Sequence, residues 1–126
     1  MAYRTPLARV RGLGSAKEGT DHFWMQRLTA AANLVLVAFL IVLLVRLAGA
    51  DYATVKATLA RPQNAIPLLL LVLSGVVHMR LGMQTIIDDY VHAPGRRIAA
   101  MMLNSFFAVG MAITCVFAVL KLSFGG

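Results

Sequence analysis

Charged side chains are scarce in this sequence. They make up 13% of its 126 residues, whereas 60% are hydrophobic and the mean hydropathy is +0.77. A water-soluble domain of this length keeps too much surface per volume to hide that apolar content. One domain in a lipid solvent accommodates it. Acidic residues are scarcer still: 5 Asp and Glu stand against 12 Lys and Arg, a formal charge of +7. Such a balance suits either a nucleic-acid surface or a membrane protein whose cations flank its spans. Here the cations lie mostly between long apolar blocks, and the basic N-terminal arm has few aromatics for base stacking. Nucleic acid is therefore not an expected partner. Cys115 is the lone cysteine and sits inside an apolar run, so it forms no internal disulfide and reads as a small hydrophobe. There is no cysteine cluster, no flavin motif, no internal repeat and no low-complexity segment.

What the chain does have is three apolar blocks behind a polar leader. Residues 1–27 read as a basic arm, in which Pro6, Gly12, Gly14 and Gly19 predict extended chain as far as residue 23. Residues 28–121 read as a three-helix membrane domain, with spans at about 28–48, 66–87 and 98–120. Each supplies the roughly 20 residues, at about 1.5 Å rise apiece, that a bilayer core needs. Arg46 snorkels from the first span, Pro67 suits the first turn of the second, and Lys121 closes the third. Ala48-Gly49-Ala50 resembles a signal-peptide cleavage site. The leader is too polar and long, and the apolar run exceeds the usual ~7–15 residues, so a signal-anchor helix is expected instead.

Between the first two spans, Tyr52, Val55 and Leu59 recur at helical spacing with Lys56 on another side. This predicts a short amphipathic helix on the membrane surface. The second connection, about 88–97, is short, and Pro94-Gly95 predicts a tight turn there. The expected fold is all-α and integral to the membrane, with three transmembrane helices and one short interfacial helix. Arg4, Arg9, Arg11, Lys17 and Arg27, with Arg96 and Arg97, outnumber Arg46, Lys56, Arg61 and Lys121 on the other side. This bias places the N-terminus and the second connection in the cytoplasm and the C-terminus in the periplasm.

The second span carries the chemistry. His78 and Arg80 lie among apolar residues, and Asp88, Asp89 and Tyr90 follow. Ionisable groups inside a bilayer are costly and usually face a protein interior. His78 is roughly 16 Å into a helix that starts at Pro67. Position alone leaves two readings open: a haem ligand, or a hydrogen bond to a neighbouring helix. Arg80 lies about 200° around the helix from His78 and faces elsewhere. Asp89 lies three turns beyond His78 on the same face, about 16 Å along the axis. Carboxylates at a helix C-terminus oppose its dipole and call for a partner cation or a proton-transfer role. His92 would be about 21 Å from His78 on a continued helix and cannot reach the same iron. His22 stands at the membrane edge, so a second axial ligand would come from another polypeptide. Phe23 and Trp24 read as interfacial anchors, and Arg27 as a cation for a lipid phosphate or a propionate. Asn33, Ser74 and Gly75 permit close helix packing.

The run His78-Met79-Arg80-Leu81-Gly82, continuing to Asp88-Asp89-Tyr90, resembles the motif of the smaller of the two cytochrome b membrane anchors of succinate dehydrogenase (respiratory complex II). That family has a His, a Gly four residues on, and an Asp-Tyr pair beginning eleven residues after the His. His78, Gly82, Asp89 and Tyr90 match it, and Val91-His92 also resembles family members. The likeness covers about thirteen residues in motif and nearly the whole chain in architecture. The Ser-x-x-His-Arg segment of the larger anchor is absent, which favours the smaller anchor over the larger. Asp88 departs from the family's usual Thr, which puts in question which carboxylate acts; the spacing from His78 selects Asp89.

The resemblance implies that His78 is an axial ligand of haem b, with the other axial His from the larger cytochrome b anchor as partner. It implies that Tyr90 hydrogen-bonds a carbonyl oxygen of ubiquinone, that Asp89 supports proton supply, and that Arg27 lies near the haem propionates. It implies flavoprotein and iron–sulfur subunits as partners, which oxidise succinate and feed electrons to the quinone, and residence in a bacterial inner membrane among its lipids. Two other readings stand beside it: an anchor of a related fumarate reductase, and a non-enzymatic membrane scaffold with a structural His78.

Overall fold

The computed structural model describes residues 6–7 and 16–125. Among the described residues from Ala16 onward, four helices follow one another: α1 (Ala16–Leu47), α2 (Tyr52–Ala60), α3 (Pro62–Tyr90) and α4 (Pro94–Phe124). Three of them are long and apolar enough to cross a bilayer, over Gly19–Leu47, Pro62–Tyr90 and Pro94–Phe124. α2 is the expected short helix between the first two spans. Among the described residues there is no strand.

The helix starts differ from expectation, each for a local reason. α1 begins at Ala16, so residues 16–23 are helical rather than extended. A single Gly19 costs a helix only about 1 kcal/mol relative to Ala, less than an adjoining apolar span can offset. Residues 1–5 and 8–15 of the arm, with Arg4, Arg9, Arg11, Gly12 and Gly14, lie outside the described residues. α3 starts at Pro62, not Pro67. Arg61 caps it in an extended conformation, and its carbonyl accepts from Asn64 and Ala65 at 2.9 and 2.8 Å. Proline is preorganised for that first position. Pro67 then falls inside the helix, where its missing N–H leaves the Gln63 carbonyl without its helical donor. Pro94-Gly95 is not the turn either. Residues 91–93 turn the chain, and Pro94 opens α4. At the end of α1, Gly49 adopts a φ of +82°, a left-handed conformation that glycine takes without steric cost.

α3 is the central helix and packs on both α1 and α4, which scarcely meet; α2 lies against α3 and α4. The inward residues of α1 recur as His22, Gln26, Thr29, Asn33, Leu36, Leu40, Leu43 and Leu47, alternating steps of four and three. That is a coiled-coil-like seam. Its first half is polar and its second half apolar. Hydrogen bonds cross both interfaces. Ser74 Oγ donates to the Thr29 carbonyl at 3.3 Å, joining α3 to α1. Asn104 Nδ2 donates to the Arg80 carbonyl at 3.0 Å, and Arg80 donates to Ser105 Oγ at 3.4 Å, joining α4 to α3. Such side-chain bonds, rather than hydrophobic burial, help hold helices together in lipid.

At the other end of the bundle, Asp51 caps α2 by accepting from the Thr54 N–H at 3.1 Å. The hydrogen bonds to Thr54 hold the Asp51 carboxyl below its usual range. Lys56 lies 6.0 Å over the Tyr52 ring. The apolar core is small: Leu43, Ala65, Ile87 and Ala108 are the buried hydrophobics among the described residues. Large side chains from Leu34 to Phe117 are exposed along all three spans. In water such a surface would aggregate; in a bilayer it faces acyl chains or other membrane helices.

Candidate functional site

The polar half of the α1 seam meets α3 around His78. His22, Gln26 and Arg27 from α1, with His78 and Thr85 from α3, line an open groove of about 580 Å³. The spacing of 22, 26 and 30 places those α1 positions on one helical face. His78 Nδ1 lies 3.1 Å from Thr29 Oγ1. Thr29 is only 7% exposed, and its hydroxyl donates back to the Met25 carbonyl at 2.8 Å, with the Gln26 carbonyl at 3.2 Å. Among the described residues, His78 Nε2 has no hydrogen-bond partner. Gln26 Oε1 is buried and equally without one, and so is Asn33 Oδ1 further along the seam. A buried acceptor left unpaired costs about 1–3 kcal/mol. A donor from outside this chain would remove that cost.

Arg27 is exposed, with its guanidinium 5.1 Å over the Phe23 ring. Phe23 in turn meets Trp24 edge-to-face at 6.1 Å. Both aromatics are exposed, as interfacial anchors should be. Arg27 has no carboxylate partner, since the one ion pair among the described residues joins Arg97 to Asp88 across the 91–93 turn. Asp88 thus has the partner cation that its place at a helix C-terminus demands. Asp89 next to it is exposed and unpaired. Tyr90 is 78% exposed, so any pocket around its phenol needs walls from elsewhere.

Sequence position puts His22 only at the membrane edge; the structure turns it into the same groove as His78. Four polar residues at 22, 26, 29 and 33 signal this face once the helix is traced upstream of residue 28. Nothing else in the sequence singles out Thr29. Arg80 points to α4, away from His78, as its angle around the helix requires. His92 is exposed in the connection after α3. A Cβ on Gly75 would meet nothing within 4 Å, so this chain alone does not close over that position. A Cβ on Gly82 would meet Gln26 Nε2 at 3.6 Å, an ordinary contact at the groove wall.

Among the described residues, no three His, Cys, Asp or Glu converge to hold a bare metal ion. One free imidazole nitrogen, one unpaired guanidinium and an open groove suit instead a metal already carried by an anionic macrocycle. Three turns away, the Asp89 carboxylate and the Tyr90 phenol are both exposed at the end of α3.

Residues 1–118 match the family described as succinate dehydrogenase/fumarate reductase transmembrane subunit. The succinate dehydrogenase hydrophobic membrane anchor subunit of Paracoccus denitrificans is 34% identical over 125 residues, covering 99% of this chain and 96% of the relative. The corresponding anchor of Rickettsia bellii is 32% identical over 118 residues, covering 91% and 94%. The succinate dehydrogenase membrane anchor subunit of Reclinomonas americana is 29% identical over 96 residues, covering 74% and 80%. No solved structure matches significantly. With the motif from His78 to Tyr90, the three spans and this full-length likeness, the chain belongs to the succinate dehydrogenase/fumarate reductase transmembrane subunits, as a hydrophobic membrane anchor of succinate dehydrogenase.

Proposed function

We propose that this anchor supplies one axial ligand of haem b through His78 and forms one side of the ubiquinone-reduction site with Asp89 and Tyr90. The observation that carries the reading is the groove at His78. There an imidazole with a free Nε2 shares a wall with the unpaired Arg27 and the unsatisfied Gln26. His78 offers the nitrogen lone pair, and Arg27 offers a charge-assisted hydrogen bond to a propionate. A second histidine ligand would come from the larger cytochrome b anchor. Bound there, haem b would supply a one-electron store beside the path from the iron–sulfur protein to the quinone.

The quinone end is built from the last turn of α3. The Tyr90 phenol donates to a quinone carbonyl oxygen. Reduction to the quinol takes two electrons and two protons, and Asp89, facing water, passes protons towards the bound ring. Asp88 is held by Arg97 and is not the proton carrier. The charge bias supports an orientation with the N-terminus and residues 88–97 on the cytoplasmic side of a bacterial inner membrane and the C-terminus in the periplasm. Succinate-derived electrons then arrive on the same side as Tyr90. The flavoprotein and iron–sulfur subunits supply those electrons, while the larger anchor and membrane lipid cover the exposed apolar faces. The relatives from Paracoccus, Rickettsia and Reclinomonas are succinate dehydrogenase anchors, which favours succinate oxidation over fumarate reduction as the direction.

The test is purification through a C-terminal tag in mild detergent, with co-purifying proteins identified by mass spectrometry. The expected result is a flavoprotein, an iron–sulfur protein and a second small anchor with b-type haem. Recovery of the chain alone, under conditions that preserve such assemblies, would leave His78 a structural residue of a membrane scaffold.

A further inference from the structure

We infer that Thr29 fixes the tautomer and ring orientation of His78, so that Nδ1 carries the proton and Nε2 presents its lone pair to the groove. This deepens the proposed ligand role of His78 and rests on it. A threonine hydroxyl has one proton to give. Its shortest contact, at 2.8 Å, is the Met25 carbonyl, which can only accept. With the proton placed there, Oγ1 turns its lone pairs to His78 Nδ1 at 3.1 Å, and the hydrogen of that contact belongs to the imidazole. A neutral imidazole carries one N–H, so Nε2 is left as the acceptor or ligand atom.

Three features make Thr29 rigid enough for this task. It is the one buried polar residue among those described, at 7% exposure. Its bond back to residue 25 pins its own rotamer within α1. Its backbone carbonyl accepts from Ser74 Oγ at 3.3 Å, one turn before His78 on α3. The helix that carries the ligand is therefore fastened to the residue that orients it. Thr29 acts through His78 and is a positioning residue. An N–H···O bond to the far nitrogen raises the basicity of a ligating imidazole, and losing such a partner typically weakens metal retention by about 10–100-fold. A more basic imidazole favours the ferric state, so loss of the bond raises the haem potential.

The experiment uses the whole membrane complex carrying Thr29→Val, Thr29→Ala, Thr29→Ser or His78→Ala. Haem retention, the haem midpoint potential and the low-spin electron paramagnetic resonance signal are recorded for each. Val and Ala are expected to weaken retention by about 10–100-fold and to raise the potential, while Ser, which keeps the hydroxyl, restores both. Val or Ala with the wild-type potential and signal would overturn the inference. Should Val and Ala fail to assemble, nitrogen-15 spectra of the reduced wild-type complex with labelled histidine decide it. A proton on His78 Nδ1 supports the inference, and one on Nε2 refutes it. His78→Ala separates the two levels. If it keeps the haem spectrum intact, the ligand role falls and the inference with it. If it loses the spectrum while Thr29→Val behaves as wild type, only the role of Thr29 falls.

Discussion

Replacing His78 with alanine is expected to abolish the low-spin b-type haem spectrum of the assembled complex. The site has a single imidazole positioned on α3 to act. His22 shares the groove but lies two turns of α1 before Thr29, the residue that meets His78, and His92 lies beyond the end of α3. Neither can take the same place, because a helix advances only about 1.5 Å per residue and both side chains belong to different levels. Reduced-minus-oxidised optical spectra of the purified complex read the loss directly. Co-purification of the water-facing subunits with the tagged His78→Ala anchor is expected to persist, which distinguishes loss of the haem from failure to assemble. A b-type spectrum unchanged in the His78→Ala complex would count against the ligand role.

The second large effect belongs to the end of α3. Asp89→Asn is expected to slow succinate–quinone reductase activity by about 10²–10⁴-fold, the range for removing a positioned proton donor. Tyr90→Phe is expected to fall in the same direction, by losing a hydrogen bond that strengthens as charge develops on the quinone oxygen. Asp88→Asn serves as the contrast. Its carboxylate is tied to Arg97 with both side chains partly exposed, at 38% and 52%, so loss of the pair costs at most about 1 kcal/mol of stability. Quinone turnover in Asp88→Asn is expected to stay near wild type. Equal losses in the Asp88 and Asp89 variants would remove the distinction drawn from the Arg97 pair and from the spacing to His78.

Much of this architecture is legible in the sequence, and the gaps have physical causes. Three apolar blocks of bilayer length, a helical connector and polar hairpin residues follow from composition and period alone. The ends are harder to read. Gly19 reads as a breaker, yet one glycine within a long helix costs little, so α1 extends back to Ala16. Pro67 and Pro94-Gly95 read as boundary and turn. Pro62 already occupies the better starting position, and Pro94 serves as the opening of α4 rather than as the bend before it.

At the candidate site, His78, Arg27, Asp89 and Tyr90 are visible because charged or aromatic residues stand out against apolar spans. The need of Asp88 for a cation is visible too, from its place at a helix C-terminus, and Arg97 meets it. The positions of Thr29 and His22 beside His78 are not. They depend on the register of α1 against α3, which no single helix encodes. The polar residues at 22, 26, 29 and 33 mark the seam, but only the packed pair shows that Thr29 meets His78.

On the proposed function, the groove between α1 and α3 would hold a haem edge through His78. A density map of the purified complex, at a resolution that separates side chains, tests it most directly. The expected result is a flat macrocycle in the groove, its iron bonded to His78 Nε2, His78 Nδ1 within hydrogen-bond distance of Thr29 Oγ1, and a carboxylate of the macrocycle beside Arg27. Side chains of another polypeptide or a lipid tail packed against His78 in that groove, with any haem elsewhere, would contradict it.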